Sequence, residues 1–235
     1  MKLIIKKFLI ILFIAFSSLC YLPKSFALEK PNFEDFGLIS IMYHRFEESK
    51  YPSTNIQLDV FKKQLKIIED EGIKFIHPKN FELSLSQNKN ERKLLFTVDD
   101  GLLSFYKNAW PILRDKKIPF ILFVNTREVG AFNYMNWEQI LEIHNSAYAE
   151  IGNHSHSHEY LVDENTDVIK DDILKSMDIF QEKLGQNSDF FSYPFGEYSL
   201  EFKNIIKDLG FKYAFGQHSG VIDETKDFWE LPRFP

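Results

Sequence analysis

Two short stretches hold most of the residues that could do chemistry. The first is Asp99-Asp100-Gly101, at the end of the apolar run Leu94-Leu95-Phe96-Thr97-Val98. Neighbouring side chains of a strand point to opposite faces, so two adjacent carboxylates serve one site only where the strand stops and the chain turns. Gly101 permits such a turn, although Asp-Asp-Gly by itself is an ordinary turn signal. The second stretch is Glu150-Ile151-Gly152-Asn153-His154-Ser155-His156-Ser157-His158, which packs three of the chain's seven histidines into five positions. Imidazoles joined by a carboxylate are a donor set for a borderline divalent cation. Two histidines with Asp100 leave coordination positions open, as in a catalytic rather than a structural metal site.

These residues need elements to position them. Gly37 to Phe46 reads as a first buried strand running into His44, and Leu94 to Val98 as another. Further strands are expected at Ile73–Ile76, Ile118–Val124, Ala147–Gly152, Phe190–Tyr193 and Phe211–Phe215. Between them, apolar residues at helical spacing predict helices over Gln57–Gly72, Asn80–Leu85, Leu102–Lys116, Trp137–His144, Val168–Leu184 and Phe202–Leu209. Pro111 either kinks the Leu102–Lys116 helix or begins a new turn. Strands alternating with helices over about 200 residues argue for a single α/β domain built on a parallel sheet or a (β/α) barrel. The strand Phe190–Tyr193 runs into Pro194-Phe195-Gly196, a third turn of interest because Tyr193 and Phe195 could form an aromatic groove wall.

Composition narrows the options. Lys2, Lys6 and Lys7 precede the apolar stretch Phe8–Tyr21, and Ser25-Phe26-Ala27 offers small residues for cleavage. That layout predicts a signal peptide over residues 1–27 and a folded domain over 28–235 that is periplasmic or secreted. The apolar stretch is 14 residues, short of the roughly 20 that a spanning helix needs, so no stable transmembrane span is expected after cleavage. An uncleaved anchor is the alternative. Cys20 lies inside this segment behind the bulky Leu19, which does not suit a lipoprotein signal. Removing residues 1–27 takes away four lysines and no acid, moving the net charge from −6 to −10. So acidic a chain has no electrostatic footprint for nucleic acid. It also retains no cysteine, which leaves no disulfide and no thiolate ligand, so any metal is held by His, Asp or Glu.

Taken together, the three stretches resemble the polysaccharide deacetylase family, carbohydrate esterases with the NodB homology domain. The family's Thr-Phe-Asp-Asp-Gly motif is similar to Thr97-Val98-Asp99-Asp100-Gly101, which implies Asp99 as general base and Asp100 as metal ligand. Its His-Ser-x-x-x-His motif matches His154, Ser155 and His158, implying two histidine ligands with His156 as a variable position. The aromatic motif, usually Arg-x-Pro-Tyr-Gly, stands here as Ser192-Tyr193-Pro194-Phe195-Gly196, without the arginine that orients the base. Arg233 in Leu231-Pro232-Arg233 is the candidate replacement. The family's C-terminal Leu-x-Ile-His strand has no match. Ser40-Ile41-Met42-Tyr43-His44 resembles instead the poly-N-acetylglucosamine deacetylase branch, with its permuted barrel, and implies His44 as general acid. The resemblance further implies a distorted NodB-type (β/α) barrel, Tyr193 and Phe195 as substrate contacts, and a backbone N–H of Tyr193 facing the oxyanion. The expected cofactor is a divalent metal, zinc first, with nickel, cobalt or iron suiting the same ligands. The expected partner is an N-acetylated polysaccharide. Two other expectations compete: an O-acetyl ester as substrate, or a degenerate member that binds glycan without turnover, motivated by a chain that stops soon after Arg233.

Overall fold

The computed structural model describes residues 36–235, so the expected signal segment 1–27, its cleavage site and Cys20 lie outside the described residues. No helix among the described residues is long and apolar enough to cross a membrane.

The α/β expectation holds. Seven parallel strands form one curled sheet: β1 (Leu38–Tyr43), β4 (Lys74–Phe75), β5 (Lys93–Val98), β6 (Phe120–Val124), β7 (Ala149–Asn153), β8 (Phe190–Ser192) and β9 (Tyr213–Phe215). The strand order is β1-β5-β6-β7-β8-β9, and β4 joins the start of β5 on the side where β6 pairs with its end. A small separate pair, β2 (Arg45–Phe46) and β3 (Asn55–Ile56), follows β1. Helices α1 (Leu58–Asp70), α2 (Phe81–Ser86), α3 (Trp110–Lys116), α4 (Trp137–His144), α5 (Thr166–Leu184) and α6 (Leu200–Asp208) supply the crossovers.

The segment after β9 bridges the two edge strands. Leu231 forms a bridge with Phe215 of β9, and Phe234 a parallel bridge with Ile41 of β1. The Phe234 N–H donates to the Ser40 carbonyl and the Met42 N–H to the Phe234 carbonyl, both at 2.8 Å. Residues 231–234 thus lie between β9 and β1, linked to each by an isolated bridge.

Period-two alternation sorts the strand side chains. On β5, Leu94, Phe96 and Val98 pack outward with Phe61 and Leu65 of α1 and Leu113 of α3. Leu95 points into the curl, where it meets Ile121, Phe123, Phe190, Phe215 and Leu231. On the far side, Phe191 and Ala214 pack outward with Ile173 of α5 and with Phe202 and Ile206 of α6. Gly152 is required by this packing, since a Cβ there would lie 2.3 Å from the Phe123 ring.

Two element expectations need correction. The first strand does not run to Phe46 but ends at Tyr43, where the Tyr43 carbonyl accepts the Asp99 N–H; Arg45 then pairs with the β3 side instead. The helix expected over Leu102–Lys116 is split, with a π-helical turn at Phe105–Ala109 before α3. Pro111 has no N–H to return to the preceding turn, so the chain widens there and α3 starts afresh with proline in its first turn.

Candidate active site

Strand parity carries Thr97 and Asp99 to the inner face of the curl at the C-terminal end of β5. Asp99 is buried, 1% exposed. The chain then reverses: Asp100 has φ +76 and Gly101 φ +68. This left-handed turn brings the second carboxylate to the same end of the sheet as the first. The cost of such a backbone in a non-glycine residue is of order 1–3 kcal/mol, a strain that accumulates at functional sites. Ser155 (φ +67), His158 (φ +53) and Phe195 (φ +59) share it.

β7 delivers the histidines. His154 is buried, and its Nδ1–H donates to the Ser192 carbonyl at 2.7 Å, which turns Nε2 toward Asp100. The loop that follows is tied down from two sides. The Ser155 N–H donates to Asn153 Oδ1 and the His158 N–H to Ser155 Oγ, while Asp172 of α5 accepts from the N–H groups of His156 and Ser157. Asp100 Oδ1 then lies 3.5 Å from His154 Nε2 and 3.4 Å from His158 Nε2. The donor atoms of Asp100, His154 and His158 all fall within 4.8 Å of one another. His156 faces elsewhere, with its Nδ1 2.8 Å from the Thr126 hydroxyl.

The charges suit a cation. Burial pushes His158 down to about 4, keeping its imidazole neutral near pH 7. Burial alone would raise Asp100, but the His154 hydrogen bond and the His44 charge outweigh it and hold Asp100 below the usual carboxylate range. Burial likewise opposes protonation of His154, and the Asp100 hydrogen bond with the Asp99 charge overcomes it and raises that imidazole. The Ser192 carbonyl occupies His154 Nδ1, so a cation that displaces the Nε2 proton meets acceptor atoms from Asp100, His154 and His158. The three residues therefore fit a divalent metal.

Arg233 supplies the other half of the site. Fully buried, it reaches Asp99 with both ends of its fork: Nη1 donates to Oδ1 at 2.7 Å and Nη2 to Oδ2 at 2.8 Å. Its Nε donates to the Gly216 carbonyl at 2.9 Å. The Asp99 carboxyl is raised by burial, yet the Arg233 charge and the neighbouring histidines bring it below its ordinary value, so it is ionised near neutrality. Ser192 stands where the family motif carries arginine. Its hydroxyl accepts from Arg233 Nη2 at 2.8 Å and donates to Asp99 Oδ2 at 3.2 Å, and its carbonyl fixes His154. Sequence reasoning assigned Ser192 no role, yet it joins the two halves. His44, just past β1, is half-buried, and its charge is felt at both Asp99 and Asp100.

The aromatic motif divides. Phe195 is 49% exposed, with its ring centroid 4.8 Å from that of His158 and 5.7 Å from that of Tyr160, a residue the sequence reading did not single out. Tyr193 does not form a groove wall. It is fully buried among Phe191, Tyr198 and Phe202, with its hydroxyl donating to the Trp229 carbonyl at 2.8 Å. Its parity explains this, for it falls with Phe191 on the helix-facing side. Its backbone N–H is also taken up, by the Phe215 carbonyl at 3.0 Å, and so is not turned to an oxyanion.

Comparison with known proteins identifies the class. The polysaccharide deacetylase family model matches residues 86–214, and the chain belongs to that family. The poly-β-1,6-N-acetyl-D-glucosamine N-deacetylase of Staphylococcus aureus is 23% identical over 234 residues, covering 87% of this chain and 80% of that protein. Among solved structures, IcaB from Ammonifex degensii superposes with a TM-score of 0.78 at 28% identity, over 84% of this chain and 91% of that one. The Streptococcus pyogenes deacetylase PplD, solved with acetate, gives 0.77 at 23% identity over 85% and 92% and supports the fold. By family the protein is a polysaccharide deacetylase.

Proposed function

We propose that this protein is a metal-dependent deacetylase acting outside the cytoplasm on a polymer of N-acetylglucosamine, of the β-1,6-linked kind named for its staphylococcal relative. The observation that carries the reading is the convergence of Asp100, His154 and His158 beside an Asp99 gripped by Arg233. A divalent ion held by those three residues, zinc first with nickel, cobalt or iron as alternatives, would polarise the acetyl carbonyl and lower the pKa of water from about 16 toward roughly 7. Asp99, ionised and fixed by Arg233 and Ser192, takes the proton of the attacking water. His44, on the β1 side, gives a proton to the departing nitrogen. An amine leaves poorly without such a donor, which sets amide hydrolysis apart from ester hydrolysis. Phe195 offers its exposed face to a sugar ring beside His158. Export is supported by the lysine-led apolar stretch at the N-terminus.

The test is amine release from a β-1,6-linked N-acetylglucosamine oligomer, after chelation and after return of zinc, nickel or cobalt. Release should vanish and return with metal, and Asp100→Asn should abolish both metal binding and release. A folded protein that binds no metal would sink the metal-dependent reaction. One that binds metal yet releases no amine from this oligomer would sink the substrate.

A further inference from the structure

Among the described residues, two buried side-chain polar atoms have no hydrogen-bond partner in the protein: Ser40 Oγ and Asn125 Oδ1. Asn125 follows the last residue of β6, is 2% exposed, and belongs to none of the three motifs. Buried polar groups are normally paired, and an exception in a native fold marks a place for water, an ion or a reacting group.

Strand parity turns Asn125 toward the catalytic residues. On β6, Phe120, Leu122 and Val124 pack outward, Ile121 and Phe123 pack inside the curl, and Asn125 takes the next inward place. The ladder to β7 continues past it: the His154 N–H donates to the Val124 carbonyl at 3.0 Å and the Thr126 N–H to the Ser155 carbonyl at 3.2 Å. Asn125 therefore stands beside His154. Toward β5, Val98 pairs with Leu122, which sets Asp99 level with Phe123 and Asn125 one inward place further along. Asn153, outward on β7, offers the contrast. Its oxygen accepts from both the Ser155 N–H and the Ser176 hydroxyl. Asn125 Oδ1 meets no such donor, because those of the site are spent: Arg233 and Ser192 on Asp99, and His154 Nδ1–H on the Ser192 carbonyl.

We infer that Asn125 Oδ1 is the second acceptor of the attacking water. The inference rests on the deacetylase reading and deepens it. Asp99 accepts at Oδ1 from Arg233 and at Oδ2 from Arg233 and Ser192. Of a carboxylate's roughly four acceptor places, that leaves one, on Oδ1. It takes one proton as the water oxygen bonds to the acetyl carbon and the carbonyl π pair moves onto the carbonyl oxygen. The other proton stays on the attacking oxygen, and Asn125 holds it. A carboxamide oxygen suits this task, since it accepts a hydrogen bond without removing the proton. With both protons directed, a lone pair of the water is left facing the acetyl carbon.

Asn125→Leu keeps the branched shape and removes the acceptor. Replacing an unpaired buried polar group with an apolar one should leave the melting midpoint unchanged or raise it. The kcat for amine release should fall on the order of 10–10²-fold, with KM and calorimetric zinc affinity unchanged. Asn125→Asp keeps an acceptor oxygen and should recover most of that rate. Crystals of the zinc-loaded wild type should show an ordered water within about 3 Å of both Asn125 Oδ1 and Asp99, and crystals of Asn125→Leu should lack it. Normal kcat in Asn125→Leu, a loss carried by KM instead, or wild-type crystals without that water overturns the inference. The water held as expected, but no amine release from any acetylated oligomer under any metal, removes the deacetylase reading and leaves the water site standing.

Discussion

Arg233→Met is the most informative single change, because it takes the guanidinium from a buried pair and leaves the apolar stem. Both partners are at most 1% exposed, and both contacts are within 2.8 Å. The loss strands an ionised carboxylate out of water, together with the Gly216 carbonyl and the Ser192 hydroxyl that Arg233 now serves. Breaking a buried pair from one side costs about 3–5 kcal/mol. In a domain of this size each kcal/mol is worth about 2–4 °C, so the melting midpoint should fall by roughly 6–20 °C. Asp99→Asn in the same background removes the stranded charge, so the double variant should be more stable than the sum of the two single losses by about 0.5–3 kcal/mol. Neither variant should deacetylate. Arg233→Lys keeps the charge but not the fork, and should retain part of the stability while kcat falls on the order of 10²-fold through misplacement of Asp99. The assays are thermal unfolding and amine release on the same preparations. If Arg233→Met melts within about 2 °C of wild type and turns over normally, Arg233 does not position Asp99 and the reasoning fails. An additive double variant would likewise show that the two groups are not coupled.

Other perturbations separate the remaining roles. Ser192→Ala deletes the hydroxyl between Asp99 and Arg233 but keeps the carbonyl that holds His154. It should cost about 1.5–3 kcal/mol and lower kcat with metal affinity unchanged; a weakened metal site measured by titration would contradict that division. Tyr193→Phe removes one hydrogen bond to the Trp229 carbonyl, so stability should drop by about 1 kcal/mol with KM for oligomers unchanged, whereas a raised KM would return Tyr193 to the glycan surface. His44→Ala should slow amide hydrolysis about 10²–10⁴-fold and spare a good-leaving-group acetyl ester. Equal losses on both substrates would remove the acid role.

Most of the sheet was legible because buried parallel strands read as apolar runs, and β5 is buried at every position. The site was legible where chemistry is local: Asp99 and Asp100 are adjacent, and His154 and His158 share one loop. What the sequence hid was set by long-range geometry or by parity. The break after Tyr43 depends on Arg45 turning away to pair with Asn55 of a separate strand pair and to bond the Thr54 carbonyl. Tyr193 read as a sugar contact because aromatic residues beside a turn invite that role. Yet counting inward from Phe191 assigns Tyr193 to the helix side and Ser192 to the interior, and that arithmetic was available from the sequence.

Arg233 shows the opposite limit. The family resemblance already offered Arg233 as the replacement arginine, but nothing local shows its partner, because the pairing with Asp99 spans 134 positions and exists only once residues 231–234 lie between β9 and β1. Two backbone bonds to β1 and the Leu231 bonds to β9 fix that segment, and the fork then fixes the carboxylate. A serine at the usual arginine position follows from the same geometry. With the guanidinium arriving from the closing segment, β8 needs only a small residue whose hydroxyl bridges Asp99 and Arg233. The residues that link β9 to β1 thus also orient Asp99, so any loosening of residues 231–234 acts on Asp99 directly through Arg233.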